Sequence, residues 1–99
     1  MQSYRDLIVW QKAMDLVEEV YKLAKHLPKG ELYVLSDQLL RAVVSIPSKI
    51  AEGYGRNSTK EYARYLNIAR GSKHEVEPQL LICTRLNFMK DSEIQGASA

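Results

Sequence analysis

A chain of 99 residues, 45% apolar and 26% charged, has the balance of a soluble globular protein and length for one hydrophobic core. Its make-up excludes several classes. No apolar run approaches the ~20 residues of a membrane-spanning helix, Met1-Gln2-Ser3-Tyr4-Arg5-Asp6 lacks the apolar segment of a secretory leader, and Cys83, the only cysteine, rules out an intrachain disulfide. A single-domain cytoplasmic protein is expected, and a net charge of +2 names no partner.

The first helix is predicted over about residues 8–27. Val9, Ala13, Leu16, Val17, Val20, Ala24 and Leu27 recur at helical spacing, flanked by Trp10, Met14 and Tyr21. Lys12, Asp15, Glu18, Glu19, Lys22 and Lys25 fill the opposite arc. The apolar arc is broader than one neighbouring helix usually covers. Asp6 is the expected N-terminal cap, and Pro28-Lys29-Gly30 the stop.

A second helix is predicted over about residues 34–53, burying Leu35, Leu39, Ala42, Val43, Ile46 and Ile50. Pro47 has no N–H and its ring crowds the Val43 carbonyl, so a kink or break is expected, at ~3 kcal/mol if nothing compensates. Ser45 and Ser48 are the expected partners for the released backbone groups. Gly53 is expected to end the helix in a left-handed conformation.

The third helix, about residues 59–87, opens on Ser58-Thr59-Lys60-Glu61, the pattern of a reciprocal capping box. Tyr62, Tyr65, Ala69, Ser72, Val76, Leu80 and Cys83 form one stripe, while Lys60, Arg64, Asn67 and His74 project from the other side. Beyond residue 79 the apolar residues Leu80, Leu81, Ile82, Cys83 and Leu86 spread around the helix and ask for further cover. Residues 88–99 read as a short tail. Asn87 to Ile94 has the makings of a turn and a helix start, but Gln95-Gly96-Ala97-Ser98-Ala99 has little apolar content. The fold class is therefore all-α, an up-and-down bundle of the four-helix type whose fourth helix is short or missing. The uncovered apolar end predicts association.

No catalytic constellation emerges. His26 and His74 fall on polar faces, and one cysteine without paired histidines offers no zinc site. Ser45, Ser48 and Lys49 do not match the Ser-x-x-Lys signature, no phosphate-binding or dinucleotide glycine pattern occurs, and Glu52 and Glu75 read as ion-pair or capping residues. No enzyme, cofactor or metal is expected. Charge distribution says more. Between residues 41 and 73, Arg41, Lys49, Arg56, Lys60, Arg64, Arg70 and Lys73 face only Glu52 and Glu61, whereas the remainder is net acidic. Arg56, Lys60 and Arg64 cluster at the start of the third helix, with Arg70 further along and Tyr54 offering a ring for a base. Such a patch suits salt-dependent, sequence-tolerant binding of RNA or DNA. The alternative is a solvated basic face on a protein–protein adaptor or structural oligomer.

Several motifs stand together in order. They are Tyr4 to Ala13 (YRDLIVWQKA), Leu35 to Arg41, Val44-Ser45-Ile46-Pro47-Ser48 with Ile50-Ala51-Glu52-Gly53, Tyr65-Leu66-Asn67-Ile68-Ala69, and Gly71-Ser72 with Glu75. This arrangement, over residues 4 to about 88, resembles the four helix bundle protein family, whose founding members are encoded in intervening sequences of bacterial large-subunit ribosomal RNA genes. The accessory variability determinant protein of diversity-generating retroelements is similar. The resemblance implies a barrel-like homopentamer without enzymatic activity. From the retroelement relatives it implies a basic surface that binds nucleic acid and a reverse transcriptase; ribosomal RNA is the other partner it suggests. Carried onto this chain, it makes Arg41, Arg56 and the basic face of the third helix (Lys60, Arg64 and Arg70) candidate nucleic-acid-binding residues, and the charge distribution adds Lys49. Three positions depart from the family's pattern: Lys49 replaces a usual asparagine, Pro78 interrupts the third helix, and the fourth helix is curtailed.

Overall fold

The computed structural model describes residues 3–98; Met1, Gln2 and Ala99, which the expected leaderless start and the tail include, lie outside the described residues. Among the described residues four α-helices form: α1 (Ile8–Ala24), α2 (Asp37–Tyr54), α3 (Thr59–Arg85) and α4 (Asp91–Ser98), with no strand. The fold is the all-α bundle that the apolar periodicity predicts, and its fourth helix is short.

The start of α1 differs from expectation. Ser3 caps a 3-10 turn over Tyr4–Asp6, its hydroxyl oxygen accepting from the Arg5 N–H at 3.0 Å. Asp6 belongs to that turn, and the cap position of α1 falls to Leu7, which supplies no side-chain hydrogen bond. α1 buries Ala13, Val20 and Leu23 but leaves Ile8, Val9, Met14 and Tyr21 exposed, so its broad apolar arc is covered only in part. It ends at Ala24, three residues short of the predicted limit, and Lys25 and His26 continue as a turn before Pro28. A 3-10 turn (Lys29–Glu31) and a π-helical turn (Leu32–Ser36) then lead into α2.

α2 runs unbroken through Pro47, which is itself buried. The Ser48 hydroxyl donates to the Val44 carbonyl at 2.9 Å, adding a bond in the turn that the proline weakens. Ser45 has a different role: it accepts a 3.0 Å bond from the Ser72 hydroxyl of α3. Gly53 does not end the helix, and no described glycine has positive φ. It is buried inside α2, where a Cβ would collide with the Cβ of Tyr65. Its function is close approach of two helices. The left-handed residue of the turn is Asn57, at φ 54°, a conformation that asparagine tolerates.

α3 packs antiparallel on α2, with Tyr65 against Gly53, Ser72 bonded to Ser45, and Gln79 sharing a groove with Gln38. Tyr65, Ala69, Val76, Leu80 and Cys83 are its buried stripe, as the spacing predicts, and burial raises the Cys83 thiol pKa. Pro78 lies on the exposed side of an unbroken helix, where water can take the carbonyl bond that proline cannot supply. The helix stops in a Schellman motif. Asn87 takes φ 64°, its N–H reaches the Thr84 carbonyl at 3.0 Å, and the Phe88 N–H reaches the Cys83 carbonyl at 2.9 Å.

Where a short tail with the makings of a helix start was expected, residues 91–98 are helical. Glu93 reaches back to accept the Lys90 N–H at 2.8 Å, satisfying a donor at the helix start. Met89, Ile94 and Ala97 are buried, and α4 touches both α1 and α3. Three well-spaced apolar residues suffice to dock two turns of helix. They cover the Leu80–Cys83 side of α3 and leave Leu81, Ile82 and Leu86 about half exposed.

Candidate nucleic-acid interface

The α2–α3 turn gathers the chain's most organised charged groups. The last turns of α2 present Lys49 and Glu52, the connecting residues supply Arg56, and the first turns of α3 bring Glu61, Arg64 and Tyr65. Ser58 fixes the start of α3, its hydroxyl oxygen accepting from the Glu61 N–H at 3.2 Å. That is half of the predicted capping box. The Glu61 carboxylate turns instead to Arg64, accepting from Nε at 2.8 Å and Nη2 at 3.5 Å.

Tyr65 is the hub. Only 7% exposed, it receives a 2.8 Å bond from Arg56 Nη2 at its hydroxyl oxygen. The Arg56 and Arg64 guanidinium carbons lie 5.2 Å and 4.6 Å from its ring centroid, within range of cation–ring attraction. Two arginines from different segments are thereby set around one buried ring. The acidic partners complete the cluster. Glu52 stands 3.2 Å from Lys49 Nζ and 3.9 Å from Arg56 Nη2. The Arg64 hydrogen bond, helped by attraction to Arg64 and Arg56, holds the Glu61 carboxyl below its usual pKa against a smaller opposing effect of desolvation; the same hydrogen bond raises Arg64.

The remaining predicted residues are dispersed. Arg41 lies about 12 Å along α2 from Lys49, by the helical rise, with Nε 3.0 Å from Asp37 Oδ1. It borders a separate polar groove of about 380 Å³ with Gln38, Glu75 and Gln79, where Gln79 Oε1 is buried without a hydrogen-bond partner among the described residues. Lys60 and Arg70 are exposed and have no ion-pair partner among the described residues. Six residues beyond Arg64, Arg70 points about 120° around the helix from it. Tyr54 is half-buried and edge-to-face with Tyr62, centroids 6.0 Å apart, so its ring is already engaged.

Residues 5–98 match the family described as 23S rRNA-intervening sequence protein. The chain belongs to that family. A search among curated proteins finds no match. The matched span runs through α4, beyond the limit of the motifs read from sequence. In this 23S rRNA-intervening sequence family member, Lys49 does not stand as an added unpaired charge beside Pro47, because Glu52 takes it up.

Sequence reasoning placed Tyr65 in the buried stripe but missed its second role. The signal available was its place directly after Arg64 and four residues after Glu61. The part played by Arg56 required the turn geometry. Glu52, read as an inter-helix or capping residue, pairs instead with Lys49, three positions before it, and Arg56, four positions after it. Among the described residues no three His, Cys, Asp or Glu side chains gather where they could hold a metal ion.

Proposed function

We propose that this chain is a non-enzymatic, homo-oligomeric helical protein of the cytoplasm that binds RNA or DNA through the basic end of α2 and α3. It would serve as an accessory to a larger nucleoprotein. The observation that carries the reading is the convergence of Arg56 and Arg64 on Tyr65, with exposed Lys60 one turn from Arg64. Guanidiniums held in place lose less freedom on meeting phosphate than mobile surface lysines do. The family's name directs the choice of ligand towards ribosomal RNA, and the resemblance to retroelement accessory proteins adds a reverse transcriptase as a candidate partner. Assembly, a pentamer by that resemblance, would repeat the patch and raise a weak affinity by avidity.

A filter-binding titration against a structured ribosomal RNA fragment tests this. Affinity should fall steeply with salt, and reversing Arg56, Lys60 and Arg64 to Glu should abolish it. Binding unchanged by the reversals would remove the patch from the account.

A second reading, a protein–protein adaptor or structural oligomer without a nucleic-acid role, is favoured by the half-exposed Leu81, Ile82 and Leu86. On that reading Leu81→Asp should disperse the assembly by light scattering, while the charge reversals should do little.

A further inference from the structure

We infer, resting on the nucleic-acid reading above, that Arg56 and Arg64 form a ring-held clamp for the phosphodiester backbone, with Glu52 and Glu61 as built-in competitors. The clamp recognises backbone and not bases.

The first support is how the guanidiniums are held. Stacking occupies a guanidinium's face and leaves its N–H edge available to oxygen acceptors. In the resting protein those edges are met by oxygen acceptors: Arg64 by the Glu61 carboxylate at 2.8 and 3.5 Å, and Arg56 by the Tyr65 hydroxyl at 2.8 Å, with the Glu52 carboxylate a longer ion pair at 3.9 Å. A phosphodiester offers arginine a closely similar pair of anionic oxygens. Binding is therefore an exchange, in which a carboxylate leaves the guanidinium and a phosphate takes its place. Glu52 and Glu61 then face an anion, so they set the affinity of the site as firmly as the arginines do.

The second support is the state of the aromatic rings at this end. Tyr65 is buried beneath the two arginines, Tyr54 and Tyr62 meet edge to face, and Tyr4 and Trp10 do likewise at 5.2 Å. Proteins that bind single strands through their bases draw on open ring faces for stacking. Here the rings are engaged with one another or with arginine. The ligand class is thus any RNA or DNA that presents neighbouring phosphates, single- or double-stranded, without base preference.

The test is fluorescence anisotropy of the full chain with three labelled RNAs of about 20 nucleotides, an oligo-U, an oligo-A and a hairpin duplex, between about 50 and 200 mM salt. The double variant Glu52→Gln with Glu61→Gln should bind all three about tenfold tighter than wild type, the scale of a surface charge–charge interaction. Arg56→Gln with Arg64→Gln should weaken binding and reduce the log–log salt slope by about 2. Tyr65→Phe, which keeps the ring but removes the hydroxyl that positions Arg56, should weaken it less. Circular dichroism melts check folding throughout. Oligo-U and oligo-A should bind equally within about twofold, since stacking would separate them. Wild-type binding that the Gln pair fails to tighten overturns the clamp and leaves the nucleic-acid reading standing. A strong preference for oligo-A overturns backbone-only recognition. Failure of wild type to bind any of the three brings down the nucleic-acid reading and the clamp together.

Discussion

At the α2–α3 turn the bundle closes through backbone shape and charge: Gly53 admits Tyr65, and two arginines cover the ring. At the far end it closes through aliphatic burial, with Met89, Ile94 and Ala97 of the last residues seated on α1 and α3. A polar link also spans that closure, His26 Nε2 lying 3.4 Å from Glu93 Oε2. The contrast teaches how one small bundle divides its labour. A seal made by removing a Cβ needs little apolar area, so the surface above it stays available for cations. A seal made of methyl groups consumes its surface in stabilising the fold.

The sharpest way to break this contrast is Gly53→Val. Its added atoms would meet the Cβ and Cγ of Tyr65 and the ring of Tyr62, so the loss should reach about 3 kcal/mol, the upper part of the usual overpacking range. A urea midpoint that falls with an unchanged m-value would show it. At the opposite seal Ile94→Ala should cost about 2 kcal/mol, the low end of large-to-small core changes, because a two-turn helix can undock on its own. Hydrogen exchange should then rise in residues 91–98 and remain slow in α2; loss of protection throughout would show that the two ends are not separable.

Between these effects and the surface lies the Schellman turn. Asn87→Ala should destabilise by about 1 kcal/mol, since alanine pays more than asparagine for positive φ, while Asn87→Gly should be neutral or stabilising. Thermal melts of the pair test whether the entry to α4 depends on that conformation.

The smallest expected effect is electrostatic. The folded-state pKa of Glu61 is depressed from 4.5, so its contribution is present above that value and is lost as pH falls through the lower folded value. Wild type and Glu61→Gln should therefore converge in stability at low pH, and high salt should narrow the gap at neutral pH.

Helix periodicity made α2 and α3 legible because each carries a long buried stripe, and Ser58 announced the start of α3. What sequence reading missed depends on distances between segments. Gly53 looks like a terminator until Tyr65 arrives from α3, and Asn57 then takes the left-handed position assigned to it. The fourth helix was underestimated because two buried residues, Ile94 and Ala97, make a weak pattern unless the surface awaiting them is known. Among the basic residues, charge counting treated Arg41 and Arg70 as equals of Arg56 and Arg64. Only the turn geometry separates the pair on Tyr65 from cations on other faces.

The hydroxyl bond from Ser72 to Ser45 acquires another meaning when taken with Gly53 and Tyr65. The two contacts lie about two helical turns apart along α2 and mark the α2–α3 pair at two points, like graduations on facing rulers. Sliding by one turn would set Ser45 against an apolar neighbour and lift Tyr65 out of its notch, so register is fixed twice over. A residue inserted in the connecting turn would consequently bulge outward rather than shift α3, leaving the rod intact while moving Arg56 relative to Arg64.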